Sequence, residues 1–269
     1  MILSDFHSHT KYCDGKNTPG EMIGAAISRG MTAFGLSGHS YAPYDTDCCM
    51  TPEGTLQFRA EVERYKELCD GIIKIYCGIE QDIYAPAPEL PFDYVIGSVH
   101  YVGDLEDPLP VDYKAELLKK QADERFGSDI YALCEAYFEA VSETVERTGC
   151  DIIGHFDLIS KFNEGDPLFD SNNERYVNAW KRAADKLLKT GALFEINTGA
   201  MSRGYRTSPY PSEDMILYIA QKGGRFVLSS DAHSAEGIMY AFPEQEKRLS
   251  EMGIELVDFS AVLDGTVKL

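Results

Sequence analysis

The sequence predicts an α/β protein built on parallel strands, with the sheet either open or closed into a barrel. Two observations carry this. Seven β-rich runs alternate with helix-like stretches from one end of the chain to the other, the pattern of parallel strands joined by helical crossovers. Over 269 residues, 44% are hydrophobic and 26% charged, an ordinary globular composition that excludes a disordered or fibrous chain. Dividing that length by roughly 150 residues per domain would allow two domains. No repeat, low-complexity tract or Pro/Ser-rich linker divides it, however, and α/β barrels of about 250 residues form one domain. Residues 1–269 are therefore read as a single domain. Such a chain buries a full core without a structural metal, so a metal here would serve function.

The elements follow in order. Ile2–His7 is the first strand candidate. Thr18-Pro19-Gly20-Glu21 opens a helix, with Thr18 as N-cap, Pro19 at the first helical position and Glu21 completing a capping box; Arg29-Gly30 closes it. Ala33–Ser37 is the second strand, and Pro52 to Cys69 the second helix, with Leu56, Val62, Tyr65 and Leu68 at helical spacing. Strands three and four are Ile72–Ile79 and Tyr94–Val99. Gly103–Ser128, rich in acidic residues and Pro, reads as a long excursion suited to an active-site lid. A helix from Ile130 to Val145 precedes strand five, Asp151–Gly154. Asn172 to Lys189 is helical, with Trp180 among Tyr176, Ala183 and Leu187 as a core residue, and it ends at Thr190-Gly191. Strand six is Ala192–Ile196. A helix from Pro211 to Gln221, capped by Lys222-Gly223-Gly224, leads to strand seven, Arg225–Ser229, and a last helix runs from Glu244 to Met252.

Charge narrows the partners. Lys and Arg number 25 against 44 Asp and Glu, a balance of −19 that repels phosphate polymers and argues against nucleic acid. No apolar run approaches the roughly 20 residues of a membrane span, and the start Met1-Ile2-Leu3-Ser4-Asp5 lacks the features of a signal peptide. The seven Cys are odd in number, without a C-x-x-C pair and with one adjacent pair, Cys48-Cys49, so they are read as reduced thiols of a cytoplasmic protein.

The histidines carry the chemistry. The chain has six, and each falls at or just after the C-terminal end of a strand candidate: His7 and His9, His39, His100, His155 and His233. Parallel α/β folds build their active sites at that edge. His7 and His9 are two apart, which in an extended chain points both imidazoles to one side. Glu80 ends strand three, Asp231 precedes His233 by two, and Asp14 follows His9 closely. Imidazoles and carboxylates converging in this way suit Zn, Fe or Mn, and nine candidate ligands imply two or three divalent ions rather than one.

His7-Ser8-His9-Thr10, Gly38-His39-Ser40, Gly78-Ile79-Glu80, Gly97-Ser98-Val99-His100, Gly154-His155-Phe156-Asp157-Leu158 and Ser230-Asp231-Ala232-His233 resemble the ordered motifs of the PHP (polymerase and histidinol phosphatase) superfamily, and more narrowly its monofunctional histidinol-phosphate phosphatases. The resemblance runs from residue 2 to about residue 245. It implies a distorted (β/α)7 TIM-like barrel with a trinuclear site at the C-terminal ends of the strands. One metal would take His7, His9, Glu80 and Asp231; a second would take Glu80, His100 and His155, so that Glu80 bridges; the third would take His39, His233 and Asp14. Glu80, Asp231 and His233 are the catalytic candidates. It further implies hydrolysis of L-histidinol phosphate to L-histidinol and phosphate by a metal-activated water, in histidine biosynthesis.

Hydrolysis of a phosphate ester needs fixed cations besides the metals. The loop Asn197-Thr198-Gly199-Ala200-Met201-Ser202-Arg203-Gly204-Tyr205-Arg206 lies at the active edge and carries two Arg in an acidic protein. Arg203 is favoured as the phosphate donor, Arg206 is the alternative and Lys161 a further candidate, with Asn197 as a brace for the loop. Tyr41 and Tyr44 could stack an imidazole. The expected partner is a small phosphate monoester, with no nucleic acid and no membrane, for a monomer or small homo-oligomer. Competing activities are a PHP-type nuclease or phosphotyrosine-protein phosphatase, a metal-dependent amidohydrolase, and a non-catalytic interaction or metal-storage module.

Overall fold

The computed structural model describes residues 2–104, 106–165 and 167–267. From the N-terminus, β1 (Ser4–Asp5), α1 (Pro19–Ser28), β2 (Ala33–Leu36), α2 (Pro52–Leu68), β3 (Lys74–Asp82) and β4 (Tyr94–Ser98) alternate as expected. A hairpin follows, β5 (Tyr101–Asp104) and β6 (Asp107–Pro110), then α3 (Ala115–Arg125), α4 (Ile130–Ser142), α5 (Thr144–Thr148) and β7 (Ile152–Ile153). The remainder is α6 (Glu174–Leu187), β8 (Leu193–Asn197), α7 (Gly199–Ser202), α8 (Glu213–Gln221), β9 (Phe226–Ser229), α9 (Phe242–Glu251) and α10 (Phe259–Leu263).

Seven strands pair in parallel in the order β1-β2-β3-β4-β7-β8-β9. The seam between β9 and β1 is held by a bridge from Ser8 to Ala232, with His9 N donating to Ala232 O at 2.8 Å. Below that bridge the buried Asp5 carboxylate accepts Ser230 N at 3.1 Å and the Ser230 hydroxyl. The result is a nearly closed, TIM-like barrel wrapped in helices.

Local chemistry explains the helices. Thr18 and Glu21 form the expected capping box, Thr51 caps α2, and Asp129 and Asn173 cap α4 and α6. On α6 the buried residues Tyr176, Ala179, Trp180, Ala183, Ala184 and Leu187 make one stripe, and Trp180 meets Tyr218 edge-on at 5.1 Å. The stripe expected on α2 is corrected. Phe58 and Val62 are buried, whereas Leu56 and Leu68 are exposed.

The excursion at 103–128 also differs from expectation. It is an antiparallel hairpin and a helix rather than an irregular lid, although Leu105 lies outside the described residues. Pro108 and Pro110 hid the strand, yet proline is tolerated in an edge pair.

Inside the barrel, residues from the strands form a floor. Ala33, Tyr76, Tyr94, Ile96, Ile152, Leu193 and Val227 pack with Phe6 and Phe259. Phe6 meets Tyr94 at 5.5 Å and Phe259 at 5.0 Å, both edge-on. Tyr94 lies across β2 and β3 because two glycines leave it room. A Cβ on Gly78 would come 2.1 Å from the ring, and one on Gly35 would come 2.2 Å from the hydroxyl. On β3 side chains alternate, so Tyr76, Gly78, Glu80 and Asp82 share the inward face. The strand that supplies the aromatic floor therefore delivers two carboxylates to the mouth.

Candidate active site

Each strand end contributes one piece of the mouth. β1 runs into His7 and His9, whose rings lie 5.2 Å apart on one side, as the two-residue spacing requires. His39 follows β2 and pairs by its backbone with Glu80 of β3. His100 follows β4, His155 follows β7, and Asp231 and His233 follow β9. Asp14 comes from a turn in which Gly15 presses on the His9–Thr10 backbone, where a Cβ would meet Thr10 N at 2.5 Å.

Glu80 is the centre. Its Oε2 lies 3.2 Å from His7 Nε2, 3.4 Å from His9 Nε2 and 2.9 Å from His39 Nδ1. Its Oε1 lies 2.9 Å from His155 Nε2 and 3.4 Å from His100 Nε2. One carboxylate thus faces two sets of imidazoles with different oxygens. Asp231 Oδ1 is 3.2 Å from His9 Nε2, and Asp14 Oδ2 is 3.0 Å from His233 Nε2. Asp14 Oδ1 is 3.7 Å from both His9 Nδ1 and His39 Nε2.

All nine expected ligands therefore converge, and among the described residues three overlapping groups have ligand atoms close enough for an ion: His9, Asp14, His39 and His233; His7, His9 and Glu80; His39, Glu80 and His100. His39 is shared between two of these. His7 Nε2, His9 Nε2, Glu80 Oε2 and His155 Nδ1 are buried without a hydrogen-bond partner, whereas buried polar atoms are ordinarily paired. Ligand atoms around a tetrahedral ion with bonds of about 2.1 Å lie about 3.4 Å apart. The separations among His7, His9, Glu80 and Asp231 match that scale, so the donor set fits divalent metal ions.

The carboxylates concentrate negative charge at the mouth and, despite burial, hold His7 and His39 well above the usual imidazole range. Burial opposes ionisation of Glu80, but His7, His39 and His100 outweigh it and hold the carboxyl well below its usual range. Asp231 is likewise held well below its usual range, Arg203 and His7 overcoming burial. Burial, with His233 and His39 nearby, pushes His9 down to about 3, leaving the neutral imidazole that ligation requires. Asp231 also adopts a left-handed backbone at φ 48°, and Gly199 packs so closely that a Cβ there would lie 2.6 Å from its carboxylate.

The mouth opens into a cavity of about 330 Å³. Arg203 and Lys161 line it. Arg203 Nη1 donates to Asp231 O at 2.9 Å and lies 2.7 Å from His233 Nδ1, and Nη2 lies 3.1 Å from Asp231 Oδ2. Lys161 Nζ donates to Asp112 O at 2.8 Å and to its carboxylate at 3.1 Å. Arg206 is turned elsewhere. It packs over Tyr210 at 4.6 Å, donates to Ser160 and Ser208, and lines a separate cleft beside α6 and α8. Asn197 braces the loop, its Oδ1 accepting Gly199 N at 2.8 Å. Tyr41 and Tyr44 do not line the cavity; Tyr44 donates to Asp82 at 3.0 Å, while Tyr101, Tyr113 and Tyr205 supply the aromatic walls.

Sequence reasoning missed three supporting side chains. Ser98 donates to Glu80 at 2.6 Å. Asp82 accepts His100 N at 2.9 Å and faces its Nδ1 at 3.3 Å. Glu195 faces His7 Nδ1 at 2.6 Å. A signal for Glu195 was present, since a lone acid interrupts the apolar run Leu193-Phe194-Glu195-Ile196.

The PHP domain family model matches residues 5–199. A Deinococcus radiodurans protein named "Probable histidinol-phosphatase" is 30% identical over 270 residues, covering 96% of this chain and 96% of that one. A Schizosaccharomyces pombe protein of the same name is 27% identical over 92% of this chain and 86% of its own. The crystal structure of histidinol phosphate phosphatase from Lactococcus lactis, complexed with zinc, L-histidinol and phosphate, shares the fold, with a TM-score of 0.71 at 19% identity over 94% of this chain and 95% of that one. The matched span runs from Asp5 of β1 through β8 and holds seven of the nine convergent carboxylates and imidazoles, Asp231 and His233 lying beyond it after β9, and the chain belongs to the PHP domain family.

Proposed function

We propose that this chain is a metal-dependent hydrolase that cleaves L-histidinol phosphate to L-histidinol and phosphate, a step of histidine biosynthesis. The observation that carries the reading is the Glu80 carboxylate, buried at the mouth with its two oxygens facing two sets of imidazoles. The full-length relatives named for histidinol-phosphatase activity support the choice of substrate.

His7, His9, Glu80 and Asp231 would hold one ion, Glu80, His100 and His155 a second, and His39, His233 and Asp14 a third. Two or three ions of zinc, iron or manganese suit these donors. Bound there, divalent ions supply Lewis acidity toward the phosphoryl oxygens and a water acidic enough to attack near neutral pH. Glu80, Asp231 and His233 act on the reaction through the ions they hold. Arg203, already fixed by Asp231, presents its guanidinium to the phosphate, and Lys161 is the second cation of the cavity. Arg206 serves the neighbouring loop instead. Asp45, which also lines the cavity, favours a cationic leaving group, and the acidic surface disfavours a polyanion.

The proposal covers residues 1–269 as one domain of a cytoplasmic monomer or small homo-oligomer. Among the described residues no helix is long and apolar enough to cross a membrane, and all seven cysteines are free, in keeping with a reducing compartment. The test compares kcat/KM for L-histidinol phosphate, glycerol phosphate, a phosphotyrosine peptide and an oligonucleotide under one metal condition. Contacts to the amine and imidazole worth about 3 kcal/mol would give a preference of about 150-fold over glycerol phosphate. Faster cleavage of the oligonucleotide or the phosphopeptide would overturn the substrate while leaving the metal site intact.

A further inference from the structure

Glu195 neither lines the cavity nor belongs to a group of ligand atoms, yet it is fully buried inside the barrel directly behind them. Its Oε1 lies 2.6 Å from His7 Nδ1. Its Oε2 accepts the backbone N–H of His155 at 2.8 Å and the Asn197 side-chain amide at 2.9 Å. The same amide reaches Asp231 Oδ2 at 3.3 Å. One carboxylate thus touches His7 and His155, on opposite sides of Glu80, and Asp231 through Asn197.

We propose that Glu195 is a positioning residue that sets the tautomer of His7 and ties the two halves of the metal site together; this rests on the metal reading above and not on the choice of substrate. By accepting a hydrogen bond from His7 Nδ1–H it keeps the proton on Nδ1 and leaves the lone pair on Nε2, the buried atom without a partner that faces Glu80 and Asp231. Only a carboxylate can do this here. Three donors converge on its two oxygens, and an amide offers one acceptor oxygen. With a glutamine oxygen toward His7, the NH2 group would face the His155 N–H and the Asn197 amide. Flipped, the NH2 group would face His7 Nδ1 and drive its proton to Nε2, so that the ring would present a proton where the metal needs a lone pair.

The experiment measures zinc affinity of the folded protein by competition with a chromophoric chelator, for wild type, Glu195→Gln and Glu195→Asp. Glu195→Gln should weaken the tightest zinc by about 10–100-fold, and Glu195→Asp, which keeps the charge but withdraws it by one methylene, by less. A residue that served stability alone would lower the melting temperature without moving the affinity of the folded protein. Unchanged affinity in Glu195→Gln overturns the proposal. Should neither variant fold, nitrogen NMR of zinc-loaded wild type decides: His7 protonated at Nδ1 supports it, and the opposite tautomer overturns it. Absence of zinc binding in wild type would instead remove the metal reading itself.

Discussion

The two ends of one barrel use the same strands for opposite purposes. At the floor, Tyr94 donates to Phe6 O at 2.5 Å and its ring packs edge-on against Phe6 and Phe259. At the mouth, His7 Nε2, His9 Nε2 and Glu80 Oε2 are equally buried but have no hydrogen-bond partner. β3 spans both, with Tyr76 below and Glu80 above on one inward face. The floor is complete within the chain, whereas the mouth is organised around something the chain does not contain. Stability and function should therefore separate along the barrel axis.

The largest effect that would sharpen this contrast is at Glu80. Glu80→Gln removes the charge shared by both sets of imidazoles and should lower kcat at least about 10³-fold with little change in folding. Near-normal turnover at full metal occupancy would break the bridging role. At the other end, Phe259→Ala should cost about 3–5 kcal/mol of stability in denaturant unfolding, with zinc bound per folded molecule unchanged. Loss of zinc from the folded variant would show that floor and mouth are not independent.

Arg203→Ala should cost about 2–4 kcal/mol of transition-state stabilisation, read as kcat/KM on every phosphate ester tested. A silent Arg203→Ala beside a damaging Lys161→Ala would transfer the role to Lys161. A comparable effect lies at the seam between β9 and β1. Burial raises the Asp5 carboxyl to about 6, although bonds from Ser230 and His7 pull it down. A raised carboxyl contributes stability below its unfolded value, and that contribution is lost as pH rises through the folded one. In metal-stripped protein, the stability of wild type minus that of Asp5→Asn should therefore fall by about 3 kcal/mol between about pH 4 and pH 6. A flat difference would contradict this account of the seam.

Much of the mouth was legible in the sequence because its donors are chemically rare and sit at strand ends. His7 and His9, Glu80 and the Asp231–His233 pair could be placed from spacing alone, and Asp14 joins His233 in space. Partners set by register were harder to see. Glu195 meets His7 across 188 positions of sequence, and Asp82 meets His100 across a strand pair. Arg203 and Arg206 look alike in the sequence, but the turn after α7 sends one to Asp231 and the other to Ser160. The β5–β6 hairpin was hidden by its prolines, and the buried face of α2 was misplaced because Leu56 and Leu68 fit the helical period yet point to solvent.

The central claim is that the mouth is a metal site that presents a phosphate ester to Arg203. Diffraction from crystals grown with zinc and inorganic phosphate tests it most directly. The account predicts anomalous peaks on both sides of Glu80, one among His7, His9 and Asp231 and one between His100 and His155, with phosphate lying between those peaks and the Arg203 guanidinium. A mouth without anomalous scattering at saturating zinc, or phosphate bound only in the cleft beside Arg206, would contradict it.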